Sequence, residues 1–360
     1  MKDLDLWFAM AELSNKIKIH LIKEFKDIDK LWYYSINKRN NSLISEKIIK
    51  KLVESWNKER IECLKGKIEH EEMSIVTYND NLYPEKLKNY DDAPFLLFYK
   101  GNIKRLNETY NISMVGSRVC TSYGQNIAKI ISEDLSTNNI NIISGLARGI
   151  DTIAHVNSVE SGGFTCAVLG CGLDIAYPPE NKGLYKKIYN SGCIISQFLP
   201  QTKPLAYNFP IRNRIISALS DLVIVIEASA KSGSLITASA ALEQGLDVMA
   251  VPGSVFSKQS KGTNKLIKDG AFVFTEMSDI YDILGIKIKQ KKNYKKAEIK
   301  QGNYKIIYDK LSDDPIHIDD IISTTHIDIQ QIYAVLFEMQ LKDEVICLSG
   351  NYYVKANSAI

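Results

Sequence analysis

Arginine is scarce in this chain of 360 residues, seven against thirty-eight lysines. Where guanidinium groups persist close together, their planar fork serves a purpose that an ammonium cannot. No apolar run approaches the ~20 residues of a membrane helix, and the opening MKDLDLWFAM carries acids where a secretory signal needs cations. The sequence therefore predicts a cytoplasmic protein. Six cysteines (63, 120, 166, 171, 193 and 347) form no C-x-x-C and meet no paired histidine spacing, which excludes a zinc module or a disulfide framework and predicts free, buried thiols. The five histidines (20, 70, 155, 317 and 326) are scattered, and no nucleophile, base and orienting group fall together. That argues against hydrolytic catalysis, leaving only a carboxylate-based route open, and no catalytic residue, metal or cofactor is expected. His155, the one histidine among the glycine loops, reads as a packed or capping residue.

What is present divides the chain into four parts: residues 1–73, 74–286, 287–302 and 303–360. The first carries apolar residues at helical spacing (Leu6, Phe8, Ala9 and Leu13; Leu21, Ile22 and Phe25; Ile48, Ile49, Leu52 and Trp56), with no glycine before Gly66. It is predicted to be a helical packing or interaction module. From Ser74, nine short apolar runs (SIVTY, PFLLFY, ISMVGS, INIISG, TCAVLG, CIISQF, DLVIVIEA, DVMAVPG and AFVFTE) alternate with helical segments. That pattern predicts an α/β fold, a doubly wound parallel sheet covered on both faces. Seven lysines and one glutamate between 287 and 300 read as a solvated linker. The tail is predicted to hold three helices and a hairpin, a winged-helix pattern. Between Tyr304 and Val354 it has nine acids and three lysines, a balance of −6, and its recognition-position segment DIQQIYAVLFEM has no cation. A phosphate-bound helix needs cations, so this tail is expected to bind protein or pack in cis.

In a doubly wound sheet, ligands sit beyond the carboxyl ends of the strands, near helix N-termini that favour anions. Four loops occupy that place. ISMVGSRVCTSYG has Gly116, Ser117 and Arg118 after a strand, with Thr121 or Ser122 to cap the next helix. ISGLARGIDTIAH supplies Gly145, Arg148, Gly149 and Asp151, and VLGCGLDIAYPPEN opens like a dinucleotide fingerprint but has Ile175 at the third glycine position. EASAKSGSLITASAALEQG places Ser232, Gly233 and Ser234 beside Lys231, without the G-K-[ST] of a Walker loop. KQSKGTNKLIKDG adds four lysines downstream. Finally KPLAYNFPIRNR interleaves Lys203, Tyr207, Asn208, Phe209, Arg212 and Arg214, and no acid occurs from Gln201 to Ser220. Cations alternating with aromatics suit single-stranded nucleic acid, its phosphates paired and its bases stacked. If that segment is extended, Tyr207 and Phe209 share one face.

GSR at 116–118, SGLARGID at 144–151, G-x-GLD-x-x-YP-x-x-N at 170–181, FP-x-RNR-I-I-x-x-LS at 209–220, SGS-x-x-TA at 233–238, VPG at 251–253 and KGTN-x-LI-x-x-GA at 261–271, in this order, resemble the DNA-processing protein A family, also called Smf. The resemblance implies an extended Rossmann-like domain between an N-terminal helical domain and a C-terminal winged helix. It also implies non-catalytic, sequence-independent binding and protection of single-stranded DNA, loading of RecA recombinase in natural transformation or recombination, and a homodimer through the Rossmann-like domain. The family's groove maps onto Arg118, Lys203, Phe209, Arg212 and Arg214, then Lys231, Gly233 and Ser234. Two positions depart from the family: Gln197 stands where glutamate is common, softening a hydrogen-bond network behind the groove, and Leu246 stands where an arginine usually follows EQG, leaving the groove less basic. The other reading of the same loops is an enzyme or sensor for a nucleotide or nucleoside phosphate, because fold alone does not decide between them. A pure protein adaptor is argued against by the basic aromatic loop.

Overall fold

The computed structural model describes residues 2–37, 44–287, 302–342 and 344–356. The lysine-rich stretch 288–301 of the expected linker lies outside the described residues. The chain forms two compact units that meet between Phe274 and Thr275.

The first unit opens with five helices, α1 (Asp3–Met10), α2 (Asn15–Phe25), α3 (Ile28–Ile36), α4 (Glu46–Glu54) and α5 (Lys58–His70). Side chains start three of them: Ser14, Asp27 and Asn57 accept backbone N–H groups at the N-termini of α2, α3 and α5. The helices then share a core with the sheet. Leu6, Trp7 and Phe8 are fully buried in one cluster with Phe95, Phe98, Ala167 and Ile194, and the Phe8 ring meets Phe95 edge-on at 4.7 Å. Trp7 also donates its indole N–H to the Leu52 carbonyl at 2.8 Å, which locks α1 to α4.

Nine strands follow: β1 (Ser74–Thr77), β2 (Leu96–Gly101), β3 (Asn111–Val115), β4 (Asn141–Ser144), β5 (Thr165–Val168), β6 (Cys193–Ser196), β7 (Leu222–Val225), β8 (Asp247–Ala250) and β9 (Phe272–Val273). They make one sheet in the order β1-β2-β6-β5-β4-β3-β7-β8-β9. From β6 to β9 all pairs are parallel, for example Ala167 beside Ile194 and Met114 beside Ile224. The β1–β2 and β2–β6 pairs are antiparallel, which corrects the all-parallel expectation. An apolar run of that length reads the same in either direction, so composition alone carries no signal for it.

Helices α6 (Ser122–Thr137), α7 (Ile150–Glu160), α8 (Lys182–Ser191), α9 (Asn208–Ala218), α10 (Ser234–Glu243) and α11 (Lys261–Lys268) connect the parallel strands. Both sheet faces are covered. Along β5, Ala167 joins the cluster that holds Tyr185 and Ile188 of α8, whereas Cys166 and Val168 join the one that holds Ile215 and Ile216 of α9 and Ala238 of α10. All six cysteines are free, but only Cys166, Cys171 and Cys193 are buried, while Cys63 and Cys347 are exposed. Strands run from β3 through β4 and β5 in one direction, then restart at β7 on the other side of β3. The crevice at this reversal is the place where such sheets bind ligands.

The second unit contains α12 (Met277–Leu284), α13 (Gly302–Lys310), β10 (Ile316–His317), α14 (Ile318–Thr325), α15 (Ile329–Leu341), β11 (Val345–Leu348) and β12 (Tyr352–Lys355). From α13 onward it is a winged helix with a three-stranded sheet, β10-β12-β11, and its own core around Ile307, Ile321, Ile332, Leu336 and Met339.

Candidate nucleic-acid interface

The segments after β3, β4, β5, β6, β7 and β8 converge over the reversal and enclose an open depression of about 850 Å³. Its lining includes Gly116, Ser117 and Arg118, Phe209, Arg212 and Asn213, and Gly233, Ser234, Lys258 and Gln259. Cross-links fix the loops. Ile150 N–H donates to Ser117 O at 3.2 Å, and Ser117 Oγ donates to Gln259 Oε1 at 3.1 Å. Thr121 caps α6, and its own N–H is held by the buried Glu227 carboxylate at 2.9 Å. Gly149 takes φ +73°, and a Cβ there would collide with the Ser117 carbonyl, so this turn needs glycine.

Phe209 is the centre of the site. The Arg118 guanidinium lies 5.8 Å from its ring centroid and that of Arg212 lies 5.7 Å away, so two cations approach the ring. Tyr177 stands 6.0 Å off with its ring tilted by 37°. Beside Phe209 is a smaller recess of about 40 Å³ lined by Arg118, Arg148, Gly170, Tyr177 and Arg212.

Arg212 is only 4% exposed. Its Nη1 donates to Val168 O at 2.9 Å, and a Cβ on Gly145 would overlap its guanidinium. Burial pulls Arg212 below its ordinary basicity, opposed by the attraction of Asp151. Asp151 is equally buried, and burial pushes its carboxyl up, against Arg212 and the amides of Ala147 and Gly145, which it accepts at 3.3 and 3.1 Å. The acids nearest the depression are thus occupied inside the protein. Arg118 is exposed at the opening, and among the described residues no acid pairs with it.

His155 is fully buried, and burial lowers its imidazole to about 3. The Thr165 hydroxyl donates to Ile142 O at 2.9 Å, so its oxygen receives the proton of His155 Nδ1 at 2.6 Å. The ring is a neutral packed residue with no path to a substrate. Among the described residues no group of three or more His, Cys, Asp or Glu is placed to hold a metal.

The expected residues therefore divide. Gly116, Ser117, Arg118, Phe209, Arg212, Gly233 and Ser234 line the depression. Lys203 and Tyr207 are exposed beside it, flanking the lining residues Pro204 and Ala206, and Lys231 is exposed outside it. Asn208 is buried and gives its amide to Lys203 O at 3.1 Å. Arg214 lies elsewhere: the segment is helical from Asn208, not extended, and two helical steps turn Arg214 about 200° from Arg212. It pairs with Asp92 and Glu243, at 2.7 Å each, at a separate cavity of about 390 Å³ that Asn15 and Gln197 also line. Gln197 accepts from Asn15 at 2.8 Å there, and Leu246 packs against the core, so neither departure touches the depression. The sequence puts Arg148 in a strand-end loop and Lys258 among the downstream lysines without assigning either to the groove, and it does not single out Tyr177 or Asn213. The only signal for them was their position in loops at strand ends.

A sequence model of the DNA recombination-mediator protein A family matches residues 74–285, and one of the DprA winged helix domain matches 294–351. The DNA processing protein DprA of Streptococcus pneumoniae is 45% identical over 201 residues, 56% of this chain and 71% of that protein. The Smf protein of Escherichia coli is 39% identical over 231 residues, 64% of this chain and 62% of that protein. The crystal structure of the S. pneumoniae protein matches with a TM-score of 0.68 at 34% identity, covering 78% of this chain and 98% of that one. A structure of DNA processing protein A from Helicobacter pylori, described for its single-stranded DNA binding mode, matches with a TM-score of 0.54 at 29% identity, covering 59% and 95%.

Proposed function

Because the chain belongs to the DNA recombination-mediator protein A family, we propose that it binds single-stranded DNA without reading its sequence, along the depression at the strand reversal, and performs no chemistry on it. The observation that carries this reading is Phe209 with the Arg118 and Arg212 guanidinium groups 5.8 and 5.7 Å from its ring centroid, in the lining of a groove built from glycine turns. An aromatic ring close to cations stacks any base while the cations meet phosphate, a combination that tolerates sequence. Arg118 and Lys258 meet the backbone, Phe209 and Tyr177 the bases, and the turns at Gly116–Ser117 and Gly233–Ser234 bring the protein backbone close. Arg212 acts from beneath by orienting Phe209. Lys203, Tyr207 and Lys231 guide the strand at the rim, and Asn208 and Arg214 serve the fold.

Protecting the strand and passing it to RecA recombinase, in transformation or recombination, complete the role. Self-association through the Rossmann-like unit fits β9, an edge strand whose Phe272 and Val273 are exposed. Fluorescence anisotropy with labelled oligothymidine and its duplex across a salt series tests the central claim. The single strand should bind more tightly, with log affinity falling by roughly 0.7 per phosphate neutralised for each unit of log salt. Arg118→Ala and Phe209→Ala should each weaken binding for all sequences alike, by roughly 1–3 kcal/mol for the lost stacking of Phe209. Unchanged affinity in both variants would remove the groove. Thermal stabilisation by a mononucleotide, about 2.7 kcal/mol at a hundred times its Kd, without oligonucleotide binding would favour the nucleotide reading.

A further inference from the structure

Phe256 is 92% exposed, the most exposed of the large apolar side chains among the described residues. Its loop is not loose. Asn264 holds Gly253 through both its N–H and its carbonyl at 3.1 and 2.8 Å, the Tyr123 hydroxyl donates to Pro252 O at 2.8 Å, and Ser254 O accepts from Ser257 N–H at 3.0 Å. A fixed loop thus presents a bare ring to water, with Val255 exposed beside it, and neither contributes to the core. Folding gives no reason for this, whereas an aromatic kept in solvent is what a stacking partner needs.

The surroundings identify the partner. Between Asp247 and Asp269 there is no acid, and Lys258, Lys261, Lys265 and Lys268 are all exposed. Lys258, two residues from Phe256, lines the depression. Lys261, Lys265 and Lys268 recur at helical spacing along one face of α11. An exposed lysine face alone is ordinary solvated surface. A lysine face leading away from the groove, with an unburied ring where it begins, is a continuation of the groove's own chemistry.

We propose that Phe256 and the lysine face of α11 form a second stacking and phosphate-binding subsite, which takes the single strand as it leaves the depression. The proposal rests on the single-stranded DNA reading above. The chemistry is non-covalent: a base stacks on the Phe256 ring while Lys258 and Lys261 meet the phosphates on either side, and Lys265 and Lys268 follow the backbone onward. An acidic or apolar protein segment is the competing occupant, and the continuity of these lysines with Lys258 in the depression favours the strand.

The test compares an oligothymidine of about six nucleotides with one of about twenty, using the full chain and anisotropy at several salt concentrations. Phe256→Ala should weaken the long oligonucleotide roughly tenfold and leave the short one within twofold. Phe256→Trp should restore the long one. Lys261→Ala with Lys265→Ala should reduce the salt slope for the long oligonucleotide by about 0.7 per lost contact. Equal affinity of wild type and Phe256→Ala at both lengths would overturn the subsite while leaving the groove intact. An equal loss at both lengths would also overturn it, by placing Phe256 within the primary site. A wild-type chain that binds neither oligonucleotide would overturn the groove reading and this proposal together.

Discussion

Two arginines two residues apart look like a matched pair in the sequence, yet the helix sends them to opposite faces with different partners. Arg212 lies under the groove, held by Val168 O and set against Asp151. Arg214 bridges Asp92 and Glu243. Arg214→Ala should therefore leave oligothymidine affinity within about twofold, since it removes a partly exposed pair of a kind worth roughly 0–1 kcal/mol to stability and no groove cation. A tenfold loss in anisotropy would show that Arg214 reaches the strand. His155 makes a separate prediction. The unfolded chain takes a proton near 6.5, whereas burial holds the folded imidazole at about 3. Between those values the unfolded state binds more protons, so stability rises with pH across that window and is lost as pH falls through it, by about 1.4 kcal/mol per pH unit from this group. Denaturant titrations at several pH values between 4 and 6 should show His155→Gln with a shallower slope than wild type. Coincident slopes would mean that the imidazole is not buried neutral.

At the scale of elements, the strands were legible because each is a short apolar run closed by turn residues, and their alternation with helices announced the crossovers. Helix α9 was not legible. Phe209 precedes Pro210, a pairing that ordinarily favours extended backbone, but proline at the first turn gives up no helical hydrogen bond. The error mattered because an extended segment would have put Tyr207 and Phe209 together, whereas the helix buries Asn208 and pairs Phe209 with Arg212 one turn later. Arg148, Tyr177 and Lys258 lie far apart in sequence, and only the strand order tells which loops converge. Helix α15 is where the tail's charge argument can be tested. It has no cation, and it exposes Ile329, Tyr333 and Phe337 at successive turns of one face. Phe337→Glu should therefore leave oligothymidine affinity and its salt slope unchanged in anisotropy. A marked fall in either would assign α15 to the DNA surface.

For the molecule as a whole, the net charge of +3 conceals its distribution. The tail from Tyr304 to Val354 carries −6, so the remainder carries +9. The family match begins at residue 74, with the first strand, but the hydrophobic interior does not respect that line. Phe8 is set against Phe95, and Leu6 and Trp7 are sealed in the same cluster as residues of β2, β5 and β6. A fragment cut at Ser74 would leave oily strand surface open to solvent and would clump before it met any polynucleotide. The sheet is half of a joint whose other half is the helical preface, and whoever transplants the groove must carry both.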